Sequence, residues 1–132
     1  MRAVLLSGFF VFWLAAGPMI HWRGDYDRAL AESRQSGRPM LVVLVRRHSF
    51  RCAEQLRRLG EDAALVRLLN RSFVPVIVTE ENGAYPVELL YSTVYPTIFL
   101  LSPRETFLMP PLPGGADPSG VRMRLEEKLS DE

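Results

Sequence analysis

The chain has 132 residues, a formal net charge of +1 and 48% hydrophobic residues, the profile of one globular domain with a modest core. So small a net charge gives no whole-molecule attraction to nucleic acid or to an anionic membrane, and no nucleic-acid partner is expected. The single cysteine, Cys52, excludes a disulfide scaffold, because any bridge must join a second molecule.

In chain order, Ala3 to Ile20 is an uncharged run rich in Leu, Phe, Val and Trp, preceded by Arg2. It is either a secretory signal peptide or an uncleaved N-terminal membrane anchor, so residues 1–20 are set apart from a folded domain over 21–132. The small residues Ala15-Ala16-Gly17 suit signal cleavage. Pro18 directly after the best site, and Leu14 at a position that wants a small side chain, favour retention. Asp25 is a good N-cap for a helix to Ser36, stopped by Gly37-Arg38-Pro39. Met40 to Val45 is a continuous apolar, β-branched run of strand length, which reads as a central strand buried on both faces.

Directly after that strand, Ser49 is placed to cap a helix through Leu59, with Gly60 as a break and a second stretch from Asp62 to about Asn70. Phe73 to Val78 is the next strand, and Pro75 inside it places it at an edge or a bulge. Thr79 to Leu90 is a connection with one helical turn around Val87 to Tyr91. Pro96 to Leu101 and Thr106 to Met109 read as an antiparallel hairpin turning at Ser102 to Glu105. Pro110 to Gly115 is a Pro/Gly segment, and Gly114-Gly115 reads as a linker only, with no glycine-rich phosphate loop in the chain. Asp117-Pro118 then opens a final amphipathic helix over Val121 to Leu129.

The chemistry-bearing residues gather at the strand-to-helix turn, in Ser49-Phe50-Arg51-Cys52. As an N-cap, Ser49 Oγ can accept the Cys52 N–H, a structural role. For Cys52 the signs oppose: the helix N-terminus and Arg46, Arg47 and Arg51 favour a thiolate, whereas burial disfavours it and makes the side chain a small hydrophobe. His48, four residues before Cys52, is either a base for that thiol or a solvated loop histidine, the commoner case. Arg57 and Arg58 form either a solvated helix face or a group for an anionic partner such as the carboxylates of glutathione. With one Cys and two distant His residues, no zinc or haem spacing exists, and no cofactor or metal is expected.

Trp22 with Tyr26 and Ala29-Leu30, Gly37-Arg38-Pro39, Phe73-Val74-Pro75-Val76 and Tyr95-Pro96-Thr97 together resemble the thioredoxin-like superfamily, in its exported branch. The resemblance implies an α/β fold, a thioredoxin-like three-layer α/β/α sandwich around a mixed four-stranded sheet without the first thioredoxin strand. It also implies that Pro96 is a cis-proline facing the motif, and that the backbone at Tyr95 pairs with a bound partner, with Thr97 and Arg51 beside it. Against the family pattern, Ser49 stands where the attacking thiol belongs and Cys52 where the resolving one does, so dithiol exchange is expected to be lost. Two functions follow. The leading one is an extracytoplasmic, exported or membrane-anchored protein that binds or holds a protein partner or thiol-containing substrate. The alternative is a monothiol redox enzyme using Cys52 for thiol exchange or peroxide reduction, a pattern similar to the Thr-x-x-Cys of peroxiredoxins but without the rest of that signature.

Overall fold

A computed structural model describes residues 18–131. Most of the segment expected to be a signal or anchor, residues 1–17, lies outside the described residues. Within them no helix is long and apolar enough to cross a membrane.

Helix α1 (Tyr26–Ser36) starts where Asp25 accepts the Arg28 N–H and ends at Gly37, whose φ of 77° closes the helix in the left-handed region. Strand β1 (Met40–Val45) follows and is buried at all six positions. Helix α2 (Phe50–Glu61) is capped by Ser49. It runs on through Gly60, so the expected break falls two residues later, at Asp62. There one residue ends α2 and, by accepting the Leu65 N–H at 3.0 Å, caps α3 (Ala63–Ser72). A capping carboxylate is a stronger stop than a glycine that a helix can tolerate at modest cost.

Strand β2 (Val74–Thr79) lies parallel to β1, β3 (Thr97–Leu101) antiparallel to it, and the short β4 (Leu112–Pro113) antiparallel to β3, in the order β2-β1-β3-β4. A 3₁₀ turn (Glu80–Asn82) and a hydrogen-bonded turn at Val87 to Leu90 occupy the link from β2 to β3. Helix α4 (Pro118–Ser130) closes the chain. This mixed four-stranded sheet between helical layers is the expected thioredoxin-like α/β fold. One face of the sheet packs Leu41, Val43, Ile98 and Leu100 against α2, α3 and α4. The other packs Met40, Val42, Val76 and Phe99 against Tyr26 and Ala29 of α1 and against Leu90.

Pro75 sits on the edge strand, as its missing N–H requires. That edge is not bare, however. The Arg23 N–H donates to the Pro75 carbonyl at 2.9 Å and the Ile77 N–H donates to the Arg23 carbonyl at 2.9 Å, so one residue stands where a further strand would run. Next to this rung, the His21 carbonyl that a strand residue at 75 would have met is taken by the Arg23 guanidinium. Ile20 is buried in the core beside it, and Asn70 holds both neighbours, donating to the Met19 carbonyl and accepting the His21 N–H.

The expected hairpin is only half present. Ser102 to Glu105 does turn the chain, and Phe107 bridges Leu101, but no strand forms over Thr106 to Met109. Pairing resumes at Leu112 and Pro113, inside the Pro/Gly segment. The reason is Pro110-Pro111: two residues without N–H groups break the ladder between the bridge and β4.

Candidate functional site

The end of β1 delivers the chain into Arg46-Arg47-His48, and this loop is clipped from the far side. Glu81 accepts the Arg47 N–H, and the Arg47 guanidinium donates to Asn82 at 2.9 Å. The Glu81 carboxyl is held below its ordinary range, first by that backbone N–H. His48 takes a φ of 57°, then Ser49 returns to extended backbone and α2 begins. Of these residues the sequence singled out the arginines and His48. Glu81, 34 positions away, carried no local signal.

Ser49 Oγ accepts the Cys52 N–H at 3.2 Å, the N-cap geometry expected of it. Cys52 is 3% exposed and belongs to the apolar cluster between α2 and the sheet. It is the free, buried thiol of this chain. His48 is exposed and forms no hydrogen bond to Cys52, which is buried. Phe50, between the two motif positions, is 80% exposed.

The Tyr95-Pro96 bond is cis, as the resemblance implied. Thr97 is 1% exposed, and its hydroxyl donates to the Val94 carbonyl at 2.5 Å and contacts Ser92 Oγ at 2.8 Å. Its polar group is therefore spent on shaping the loop before β3, not offered to a partner. Tyr95 is half-buried, with the Arg46 guanidinium 4.9 Å from its ring centroid.

The residues that join this loop to the motif helix were not foreseen. Gln55, one turn after Cys52 and 6% exposed, accepts the Ala116 N–H at 2.7 Å and donates to the Ala116 carbonyl at 3.0 Å. The Pro96 carbonyl accepts the Gly114 N–H at 2.8 Å. Gly115, with φ of 90°, passes so close that a Cβ would lie 2.1 Å from Gln55 Oε1 and 3.6 Å from Pro96 Cγ. The glycine pair read as only a linker is thus the piece that packs Pro96 against the motif helix. A glutamine at helical spacing from Cys52 was the available signal, and only the tertiary structure gives it a partner.

Around the motif, Phe50, Arg51, Glu54, Gln55, Arg58 and Gly114 enclose an open cavity of about 200 Å³. Arg51 is exposed there. Arg57 is paired with Glu54 and Glu61 on its own helix, and Arg58 with Asp117 at 3.1 Å, so both guanidinium groups already meet carboxylates. Among the described residues no cluster of His, Cys, Asp or Glu is placed to hold a metal ion.

The arrangement supplies one buried thiol behind a hydroxyl cap, a cis-proline loop and an exposed apolar and basic rim. A family model described as thioredoxin-like matches residues 21–103. No curated protein matches the chain. Among solved structures, a thioredoxin from Thermus thermophilus is 22% identical with a TM-score of 0.69, covering 83% of this chain and 86% of that one. A putative disulphide-isomerase from Bacteroides thetaiotaomicron is 19% identical with a TM-score of 0.70, covering 89% and 99%. A DsbH oxidoreductase is 12% identical with a TM-score of 0.69, covering 87% and 88%. With the family match spanning more than half of its length and the same fold in each of these structures, the chain belongs to the thioredoxin-like family.

Proposed function

We propose that this protein is an exported or membrane-anchored thioredoxin-like protein that binds or holds a protein partner outside the cytoplasm and does not perform dithiol exchange. One observation carries the reading: the Ser49 hydroxyl is engaged as the α2 N-cap, and the lone thiol behind it is 3% exposed, while the family resemblance aligns Ser49 with the attacking position. Disulfide exchange needs a thiolate that reaches a substrate sulfur and a second thiol that resolves the mixed disulfide. A serine oxygen does neither. What remains at the surface is a docking rim: Phe50 and Arg51 on the helix, and Val94 and Tyr95 on the loop before Pro96. Of these, Phe50 and Val94 are exposed apolar side chains, which suits a protein partner. The uncharged run Ala3 to Ile20 supports the extracytoplasmic setting. The burial of Cys52 favours this binding role over a monothiol enzyme, whose sulfur must reach peroxide or a disulfide.

The test is insulin reduction coupled to dithiothreitol, run on the wild type and on Ser49→Cys. The wild type is expected to show no turnover above the reagent alone. Ser49→Cys, with two thiols one helical turn apart, is expected to form an intramolecular disulfide and to gain measurable exchange. Wild-type turnover at the level of a dithiol thioredoxin would overturn the proposal.

A further inference from the structure

Beside the cis-proline loop, on the side away from Cys52's helix, lies a second cavity of about 100 Å³ that the motif does not use. Leu44 and Leu90, 1% and 0% exposed, form its floor. Three tyrosines, Tyr85, Tyr91 and Tyr95, stand around it, and Glu80 is the acidic group in its lining. Neither lysine nor arginine lines it. The Glu80 carboxylate has no ion-pair or hydrogen-bond partner among the described residues, whereas its neighbour Glu81 is engaged by Arg47.

We propose that this cavity receives the ammonium or guanidinium head of an alkyl chain, presented as a lysine or arginine side chain by the protein partner. Aromatic ring faces attract cations through their quadrupole, and a lone carboxylate in the same cavity adds a charge-assisted hydrogen bond. The apolar floor suits the methylene stem of such a side chain. The size points the same way: pockets for whole small molecules run to about 300–1,000 Å³, and 100 Å³ holds a side-chain head. One of the rings, Tyr95, already carries a cation, the Arg46 guanidinium, which does not line the cavity. The Tyr95 hydroxyl titrates above its ordinary range, first from burial and then from the Glu80 carboxylate, as expected if that charge faces the rings. Tyr95 directly precedes Pro96, so a chain docked along this loop passes the mouth of the cavity, where Val87 and Tyr91 are exposed. The inference rests on the partner-binding role proposed above and names a side chain that the partner must carry.

Four probes test it by NMR titration of the protein as isolated: Nα-acetyl-lysine methylamide, Nα-acetyl-arginine methylamide, the neutral Nα-acetyl-norleucine methylamide, and n-butylamine. Resonances of Tyr85, Ser92 and Tyr95 are expected to shift saturably with the two cationic amides, with a Kd on the order of 1 mM. Norleucine is expected to bind at least about tenfold more weakly. Glu80→Gln, an isosteric change at the surface, is expected to raise the cationic Kd about tenfold and leave the norleucine response unchanged. Equal binding of norleucine and lysine derivatives, or no binding, overturns the proposal. n-Butylamine matching the lysine amide overturns the polypeptide source in favour of a free amine. Because the probes need no partner and no thiol, their failure leaves the insulin result standing, and a failed insulin result leaves the cavity test standing.

Discussion

At position 49 a hydroxyl caps α2, where the family resemblance would set a dithiol enzyme's nucleophile, and the two roles make different demands on the side chain. The cap accepts the Cys52 N–H, which would otherwise be unsatisfied at the start of α2. Ser49→Ala is therefore expected to destabilise the protein by about 1 kcal/mol, and Ser49→Asp to keep nearly full stability, in urea unfolding followed by circular dichroism. A second residue-scale prediction concerns Gly115. Alanine there meets both a φ of 90° and a Gln55 oxygen 2.1 Å from its Cβ, so Gly115→Ala is expected to cost about 2 kcal/mol or more. Gln55→Ala removes the collision but not the strained φ, so the double variant is expected to lose less than the two single losses added together. Full additivity would count against the contact. The site was partly legible in the sequence at this scale. Ser49, Cys52 and Pro96 were found because capping chemistry and a family pattern act over a few neighbouring positions. Gln55, Glu81 and the glycine pair were not, since Gln55 meets Ala116 61 residues away, Glu81 meets Arg47 34 residues away, and the glycine pair meets Pro96 and Gln55 only in the folded chain.

Among the elements, the buried strands were the most legible. Met40 to Val45 is apolar at every position because helices cover both faces of its sheet, and no polar alternation was needed to recognise it. β4 was missed for the opposite reason, being two residues long, proline-containing and poor in β-branched side chains, so that only its pairing with Thr97 and Ile98 makes it a strand. The one-residue rung at Arg23 is equally silent in the sequence. It is held by a polar cluster in which Glu32 of α1 takes hydrogen bonds from Arg23 and from Arg38 at 2.9 Å, while Arg38 also donates to the Phe73 carbonyl at the end of α3. The Glu32 carboxyl sits below its ordinary range, chiefly through the Arg23 hydrogen bond. A carboxyl depressed in the folded state stabilises above its unfolded pKa, and that stability is lost as pH falls through the folded value. Glu32→Gln is therefore expected to cost on the order of 1 kcal/mol at neutral pH, the modest size reflecting its partial exposure. The difference from wild type should shrink toward zero as pH falls below the usual glutamate range. A constant difference from pH 7 to pH 2 in parallel denaturant titrations would remove the cluster from the account.

For the whole molecule, place and chemistry are linked. If Ala3 to Ile20 directs export, the protein should fractionate with membranes or in an extracytoplasmic compartment, and mass spectrometry of the isolated N-terminus should find either a retained segment or a cut within it. Pro18 makes retention the expected result. An intact Met1 on a soluble cytoplasmic protein would remove the proposed setting. In an oxidising compartment a reactive lone thiol would be drawn into mixed disulfides, and a buried one is protected from them. Cys52 is a packed part of the core, and the binding role proposed for the surface around it depends on the thiol staying there. The most direct measurement is the rate at which Ellman's reagent modifies Cys52 in the native protein compared with the same protein in denaturant. A thiol 3% exposed beneath a capped helix turn reacts only when the structure opens, so native modification should be at least about a hundredfold slower. Native modification as fast as that of the unfolded chain would contradict the account and return Cys52 to the role of a working thiol.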